Sequence, residues 1–351
     1  MTIRILPAPV VTMLASRNHR LRHYLWHAIR GAWNNPGLKK EVRQFIKDKK
    51  WAPPDDRVPF DQYGHLILDN NSGEDFLFMH RQMISEVNQV LAQLGEPPLQ
   101  PWSGIPAPGQ APEFAVPPAW TYADPRNSDS RNASMTERLK RVKSDDYYSN
   151  PLGIWEAFYT TPSNLASLSL GALGNMLEMT IHNNLHMRWA SEPIGYMPSP
   201  NLEDTANIDS KWDDPKHDFL GNFYSSHVNP VFWYLHGWVD HCIDLWAEAN
   251  KVEDIQWKGT WQGKLEDGWT PDQPKMFTRS IRLEAMTQHK LPASFFGLSP
   301  GMELGDTGGH GGHGGHGDND IGEMEEMEEI VRMLGSCKVI RNFYDILSET
   351  N

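Results

Sequence analysis

The sequence predicts a mainly α-helical protein, a helical bundle around a histidine metal site, with long proline-rich loops and little sheet. Three observations predict this class. Apolar residues recur at helical spacing in several segments, few segments alternate as strands do, and histidines recur four residues apart within the helical segments. A chain of 351 residues with 39% hydrophobic content is long and apolar enough to bury a sizeable core.

The first predicted helix covers residues 19–33, HRLRHYLWHAIRGAW, and is amphipathic. Its apolar residues fall on one stripe at helical spacing, and His19, His23 and His27 fall on the other side. The pattern favours a solvated face for these three histidines, because a polar stripe opposite an apolar one normally faces water.

The other elements follow from periodicity and from helix start and stop signals. Asn229 is a predicted N-cap and Pro230 takes the first helical position, where the missing N–H of proline costs nothing. Gly95 and Pro97 end an earlier helix. In chain order, the remaining predictions are helices over 38–51 and 76–94, a proline-rich loop over 97–125, and helices over 164–189 and 229–250.

The C-terminal part divides into a linker and a tail. Residues 301–320 include GDTGGHGGHGGHGDND, which has nothing apolar to bury and is predicted to be a linker. Residues 321–351 read as an acidic amphipathic helix with a short aromatic end, folded back on a main domain over 1–300 as a possible lid. His310, His313 and His316 of the linker have a spacing that suits metal capture, but the pattern favours a solvated linker that binds metal only incidentally.

Composition excludes several classes of function. The formal net charge of −13 argues against nucleic acid as a partner, because binding phosphates requires a basic face. Two cysteines, Cys242 and Cys337, cannot supply a disulfide framework or a thiolate zinc cluster. The start of the sequence is poor as a secretory signal and no apolar run is long enough to span a membrane, so we expect a cytoplasmic protein without a membrane partner. Self-association is left open.

Three histidines form the strongest candidate metal site. His182 and His186 lie four residues apart, so their imidazoles project from one face of a helix, one turn apart. His236 lies on the otherwise apolar face of the helix that starts at Asn229. Each alone is as readily a structural histidine, and the three together predict metal ligands.

These segments resemble the second copper-binding region of the tyrosinase, catechol oxidase and hemocyanin family. The matching parts are HNNLH at 182–186, GYM at 195–197, and NPVF at 229–232 running on to His236 and Asp240. FLFMHRQM at 76–83 resembles a helix of the family's first site and puts His80 in a ligand position. Ordered motifs of several parts are more specific than one short match.

The resemblance implies two copper ions, each held by three histidines, with dioxygen as co-substrate. The implied activity is that of an oxidoreductase, a monooxygenase or oxidase that hydroxylates or oxidises a phenol, catechol or aminophenol. The first site departs from the family pattern, because Asn71 stands where a ligand is expected. His65 is the predicted replacement through a shifted loop, and His23 or His27 could contribute from the first helix.

The resemblance also implies roles for residues around the ligands. Glu178 and Asn183 match a glutamate and an asparagine that hold a water and help to deprotonate a phenol, whose pKa near ~10 requires a positioned base. A plain helix-surface role for Glu178 is an equal alternative. Asp240 is either a carboxylate that supports a ligand or a member of an ordinary salt bridge. Phe343 and Tyr344 of the tail could insert into the pocket as substrate mimics.

Two other functions remain open at this level. One is a tyrosinase-like copper-binding or carrier protein that has lost the first site and holds one copper ion or none. The other is a zinc or other metal site for hydrolysis. Metal content separates the enzyme from the carrier, since the enzyme needs about two coppers per chain for a coupled pair.

Overall fold

A computed structural model describes residues 3–125, 127–197, 208–258, 260–264, 274–278, 317–340 and 343. The architecture within these ranges is mainly helical, as predicted. The helices are α1 (Ala8–Ala15), α2 (Arg17–Ala32), α3 (Lys40–Asp48), α4 (Asn71–Gln93), α5 (Asp129–Val142), α6 (Asp145–Tyr147), α7 (Gly153–Thr160), α8 (Pro162–Leu165), α9 (Leu170–Leu177), α10 (Asn183–Trp189), α11 (Pro230–Ala249) and α12 (Gly317–Cys337).

Shorter elements join these helices. Two five-residue π-helical segments, Tyr148–Leu152 and Glu178–His182, precede α7 and α10, and 3-10 turns cover Pro112–Phe114, Ser210–Asp213 and Ser226–Val228. The strands β1 (Asp254–Lys258) and β2 (Pro274–Thr278) form an antiparallel pair in which Ile255 lies opposite Phe277. The predicted proline-rich loop over 97–125 is irregular except for its 3-10 turn.

Local sequence signals place the main helices close to their predicted bounds. The side chain of Asn229 accepts a hydrogen bond from the backbone N–H of Val231 at 2.9 Å, so Asn229 is the N-cap of α11 as expected. Ser16 caps α2 in the same way through the N–H of His19. The predicted helix over 164–189 is divided into α8, α9, a π-helical segment and α10. The sequence analysis did not anticipate α1, α5 and α7.

Two glycines bring α4 and α9 into backbone contact. A side chain at Gly73 would overlap the carbonyl oxygen of Gly171, and one at Gly174 would overlap that of Gly73. Only glycine allows helices to approach so closely. The crossing sets the N-terminal part of α4 against the segment that leads to Glu178 and His182.

The tail helix α12 packs against α2 and α3. Four apolar residues at its centre are fully buried. Ion pairs hold its acidic side, Arg17 to Glu328 at 3.0 Å and Arg22 to Glu323 at 2.5 Å. The buried apolar residues are Met327, Ile330, Val331 and Leu334. The first residues of α12 lie in the range predicted as linker, and the rest of that linker, with His310, His313 and His316, lies outside the described residues.

None of the helices among the described residues is long and apolar enough to cross a membrane.

Candidate metal centre

The first cluster of the site consists of His182, His186 and His236, here called the C-terminal triad. The Nε2 atom of His182 lies 2.9 Å from Nε2 of His236 and 3.1 Å from Nε2 of His186. All three side chains are buried. The π-helical segment Glu178–His182, α10 and α11 therefore bring together the three histidines singled out in the sequence.

The second cluster, here called the N-terminal triad, consists of His23 and His27 of α2 and His80 of α4. One ring nitrogen from each lies within 4.8 Å of the others. His80 also lies within 4.8 Å of His182 and His236, and its ring stacks on that of His236 at 4.4 Å. The two triads are therefore adjacent, and His80 stands between them.

The outward-facing ring nitrogens are held by hydrogen bonds. In five of the six imidazoles Nδ1 lies within hydrogen-bond distance of a backbone or side-chain oxygen, which assigns the proton to Nδ1 and the lone pair to Nε2. The partners are Phe223 O for His23, Phe76 O for His80, Leu220 O for His186, Phe232 O for His236 and Asn183 Oδ1 for His182, at 2.5–3.1 Å.

The inward-facing nitrogens lack such partners. Nε2 of His23, His27 and His80 is buried without a hydrogen bond to any described residue. In the C-terminal triad, Nε2 of His182 lies about 3 Å from Nε2 of both His186 and His236, and lone pairs at these distances repel unless a cation or proton lies between them. The buried triads thus fit a metal ion, since imidazole nitrogens with anchored far sides are the usual donor arrangement.

Burial keeps the site imidazoles neutral. It lowers the pKa of His182 to about 3 and that of His23 to about 4, because a charged imidazolium is poorly solvated in the core. The same cause lowers the pKa of the other four, His27, His80, His186 and His236, well below the ordinary value. Neutral imidazole is the form that binds metal.

The structure does not bring His65 into the site, so its predicted ligand role needs correction. Its side chain is 77% exposed, and its Nδ1 lies 3.3 Å from Asp61 of the same loop. The loop holds His65 at the surface through the hydrogen bond from its backbone N–H to Asp61. The expected solvated face of α2 is also wrong, since His19, His23 and His27 are buried.

Glu178 lies in the π-helical segment and is buried, which excludes the surface role weighed for it. Arg30 of α2 donates to both carboxylate oxygens, with Nη1 2.9 Å from Oε1 and Nη2 3.1 Å from Oε2. The same Oε1 lies 3.9 Å from Nδ1 of His27. Glu178 therefore faces the N-terminal triad as one half of a bidentate ion pair.

Asn183 and Asp240 take positioning roles. Asn183 accepts from Nδ1 of His182 at 3.1 Å and so fixes the orientation of that ring. Asp240 pairs with Arg81 at 2.5 Å, and Arg81 also reaches Asp244 at 2.8 Å. Of the two alternatives for Asp240, its contacts match the salt bridge, and that bridge ties α11 to α4 directly beside His80.

The tail places an aromatic ring over the C-terminal triad. The ring of Phe343 stacks on that of His186 with a centroid distance of 3.9 Å and an interplanar angle of 15°. It also meets Phe223 edge-on at 4.4 Å, and only 1% of the residue is exposed. Phe343 therefore covers the triad where an external ring would have to stack. Tyr344, the other candidate, lies outside the described residues.

His23 and His27 were expected on a solvated face and were offered only as alternative ligands for the first site, although their spacing carried a signal. They lie four residues apart on α2, as His182 and His186 do, and that repetition could have identified them as ligands. His227 was missed without any such signal. It packs against His23, with 3.2 Å between the Nδ1 atoms, and donates from Nε2 to the carbonyl of Leu14 at 3.0 Å.

No protein-family model matches the chain, and no curated protein is significantly similar to it.

Proposed function

We propose that the protein is a copper-dependent oxidoreductase that uses dioxygen to oxidise a catechol or aminophenol at two adjacent tris-histidine sites. The observation that carries the proposal is the convergence of six buried, neutral imidazoles as two triads. One triad would suffice for a mononuclear protein. Two adjacent triads provide for two ions.

The donor set favours copper. Both triads offer imidazole nitrogen only, without the carboxylates that magnesium or calcium require or the thiolates of many zinc sites. When bound, a copper pair supplies the electrons and the coordination positions for reducing dioxygen while a phenolic substrate is oxidised. The residues of the chain then have to fix the imidazoles, exclude water and admit a flat ring.

The described contacts support the admission of a flat ring. The ring of Phe343 already lies nearly parallel to that of His186, with Phe223 edge-on to it. A phenyl group therefore fits against the imidazole of His186 without rearrangement of His186 or Phe223. An external catechol requires the tail to withdraw Phe343.

The ion pair of Glu178 favours oxidation over hydroxylation. Hydroxylating a monophenol requires a base that removes the phenolic proton, and Glu178 is the buried carboxylate in contact range of the N-terminal triad. Both of its oxygens already accept hydrogen bonds from Arg30, so a phenolic proton would have to compete with this bidentate ion pair. Catechols and aminophenols lose protons and electrons more readily and make less demand on such a base.

A copper carrier is the second candidate, and the position of Phe343 favours it. A ring stacked over the ligands is compatible with a metal that is stored rather than used. In the sequence, the reason to consider a carrier was that the first copper site lacked a ligand. The N-terminal triad offers three histidines at that position, so this reason carries less force. The enzyme remains our conclusion.

Copper content and reactivity test the proposal. We expect about two coppers per chain for a coupled pair. We also expect an absorption band in the near ultraviolet when the reduced copper protein meets dioxygen, and oxidation of a simple catechol. His80→Ala should remove the band, because His80 stands between the triads. One copper per chain without reaction with dioxygen would support the carrier, and zinc in the isolated protein would support neither.

A further inference from the structure

A small cavity lies beside the N-terminal triad, between α2 and α4. Two side-chain pairs line it, each spaced by one helical turn: His19 and His23 on α2, and Met79 and Met83 on α4. All four are buried. We call it the methionine pocket. Its wall includes His23, so the pocket and the N-terminal triad share a residue.

The size of the methionine pocket restricts what it can hold. The volume within which the centre of a water-sized sphere can move is about 20 Å³. This is room for one water molecule or one ion and far too little for an aromatic ring, since a single water requires roughly 10–15 Å³ by the same measure. The pocket is therefore not a substrate site.

The lining chemistry selects among ions. Thioether sulfur and imidazole nitrogen are soft donors that favour Cu(I), whereas hard cations require oxygen ligands. Among the residues that the structure describes, no carboxylate lines the pocket and Gln262 is the one side-chain amide in its wall. Arg22 also lines it, and pairing with Glu323 of the tail helix offsets the positive charge that would oppose a cation.

We propose that the methionine pocket is a Cu(I) site through which copper reaches the N-terminal triad, with Met79 and Met83 as sulfur ligands and His19 and His23 as nitrogen ligands. His23 connects the two sites, because a ligand common to both lets an ion exchange donors one at a time without passing through water. The identification of copper as the final occupant of the triad rests on the proposed function. The preference of the pocket for a soft monovalent ion rests only on its sulfur and nitrogen donors.

The test uses the full-length metal-free protein and Cu(I) supplied anaerobically from a competing chelator. Wild type is compared with Met79→Leu/Met83→Leu, which removes both sulfurs at nearly constant volume, a change that buried sites tolerate well. Met135→Leu is the matched control, because Met135 is equally buried but belongs to α5. X-ray absorption reports the ligands of the first copper equivalent, and stopped-flow chelator absorbance reports the loading rate.

We expect sulfur among the ligands of the first equivalent in wild type and in Met135→Leu, and its loss in the double variant. Loading should be slower in the double variant, although the final copper content should be unchanged because the triad histidines are intact. Nitrogen-only ligation in wild type would overturn the site. Sulfur ligation with an unchanged loading rate would overturn its role in delivery. Failure of the enzyme proposal would appear separately, as lack of catechol oxidation by fully loaded wild type.

Discussion

Under the proposed function, replacing Phe343 by alanine should open the histidine site to external catechols. The ring is 1% exposed, stacks on His186 at 3.9 Å and meets Phe223 edge-on at 4.4 Å. Truncating a fully buried phenylalanine costs about 3–5 kcal/mol. If about 3 kcal/mol of this stabilises the closed position, the open population rises about 100-fold, at 1.4 kcal/mol per tenfold change.

The change should appear in KM. When only the open form binds substrate, the apparent dissociation constant is the intrinsic one divided by the open fraction. We therefore expect KM for a catechol to fall by up to about 100-fold, with kcat per copper nearly unchanged. Oxygen consumption and quinone absorbance measure both constants, and elemental analysis normalises them to copper content.

Phe158→Ala is the control for loss of a phenyl ring elsewhere, because the partly buried ring of Phe158 in α7 packs edge-on against Tyr159. It should leave KM unchanged. The same KM in Phe343→Ala and wild type would refute the idea that this ring excludes substrate. Deletion of the residues after about Leu304 should also lower KM, and should reduce solubility because it uncovers the surface that α12 buries.

Three further predictions follow from the site and its surroundings. His80→Ala should reduce bound copper and abolish the near-ultraviolet band, whereas His65→Ala should change neither, as measured by elemental analysis and absorbance. Arg30→Met should destabilise the protein by about 3–5 kcal/mol, because it leaves Glu178 buried without its partner; urea unfolding checks this, and a loss below about 1 kcal/mol would contradict it. Burial lowers the pKa of His217 to about 4, so the unfolded chain binds this proton first as pH falls. Between the unfolded value of 6.5 and pH 5 the folded state should lose about 2 kcal/mol from this group, and His217→Gln should flatten the dependence of unfolding free energy on pH by that amount.

The sequence motif identified Glu178 as a site residue but did not predict its ion-pair partner. Its place one turn before His182 drew attention to it in the sequence. Its partner, Arg30, lies 148 residues away in the chain, and no spacing rule connects the two. The ion pair changes the role expected of the carboxylate, because both of its oxygens are already engaged by charge-assisted hydrogen bonds from Arg30.

Local sequence determined the main helices and the pairing of His182 with His186, whereas the approach of His236 to them is a tertiary contact. The bounds of α11 follow from Asn229 and Pro230, and the spacing of His182 and His186 puts both rings on one helical face; these are properties of the chain over a few residues. Tertiary structure decided the N-terminal triad. Periodicity shows that His23 and His27 share a face of α2, but only the packing of α4 and α12 against α2 decides whether that face meets water or protein. The same long-range packing leaves His65 outside and sets Phe343 over His186, because burial depends on what covers a surface and not on the residues that form it.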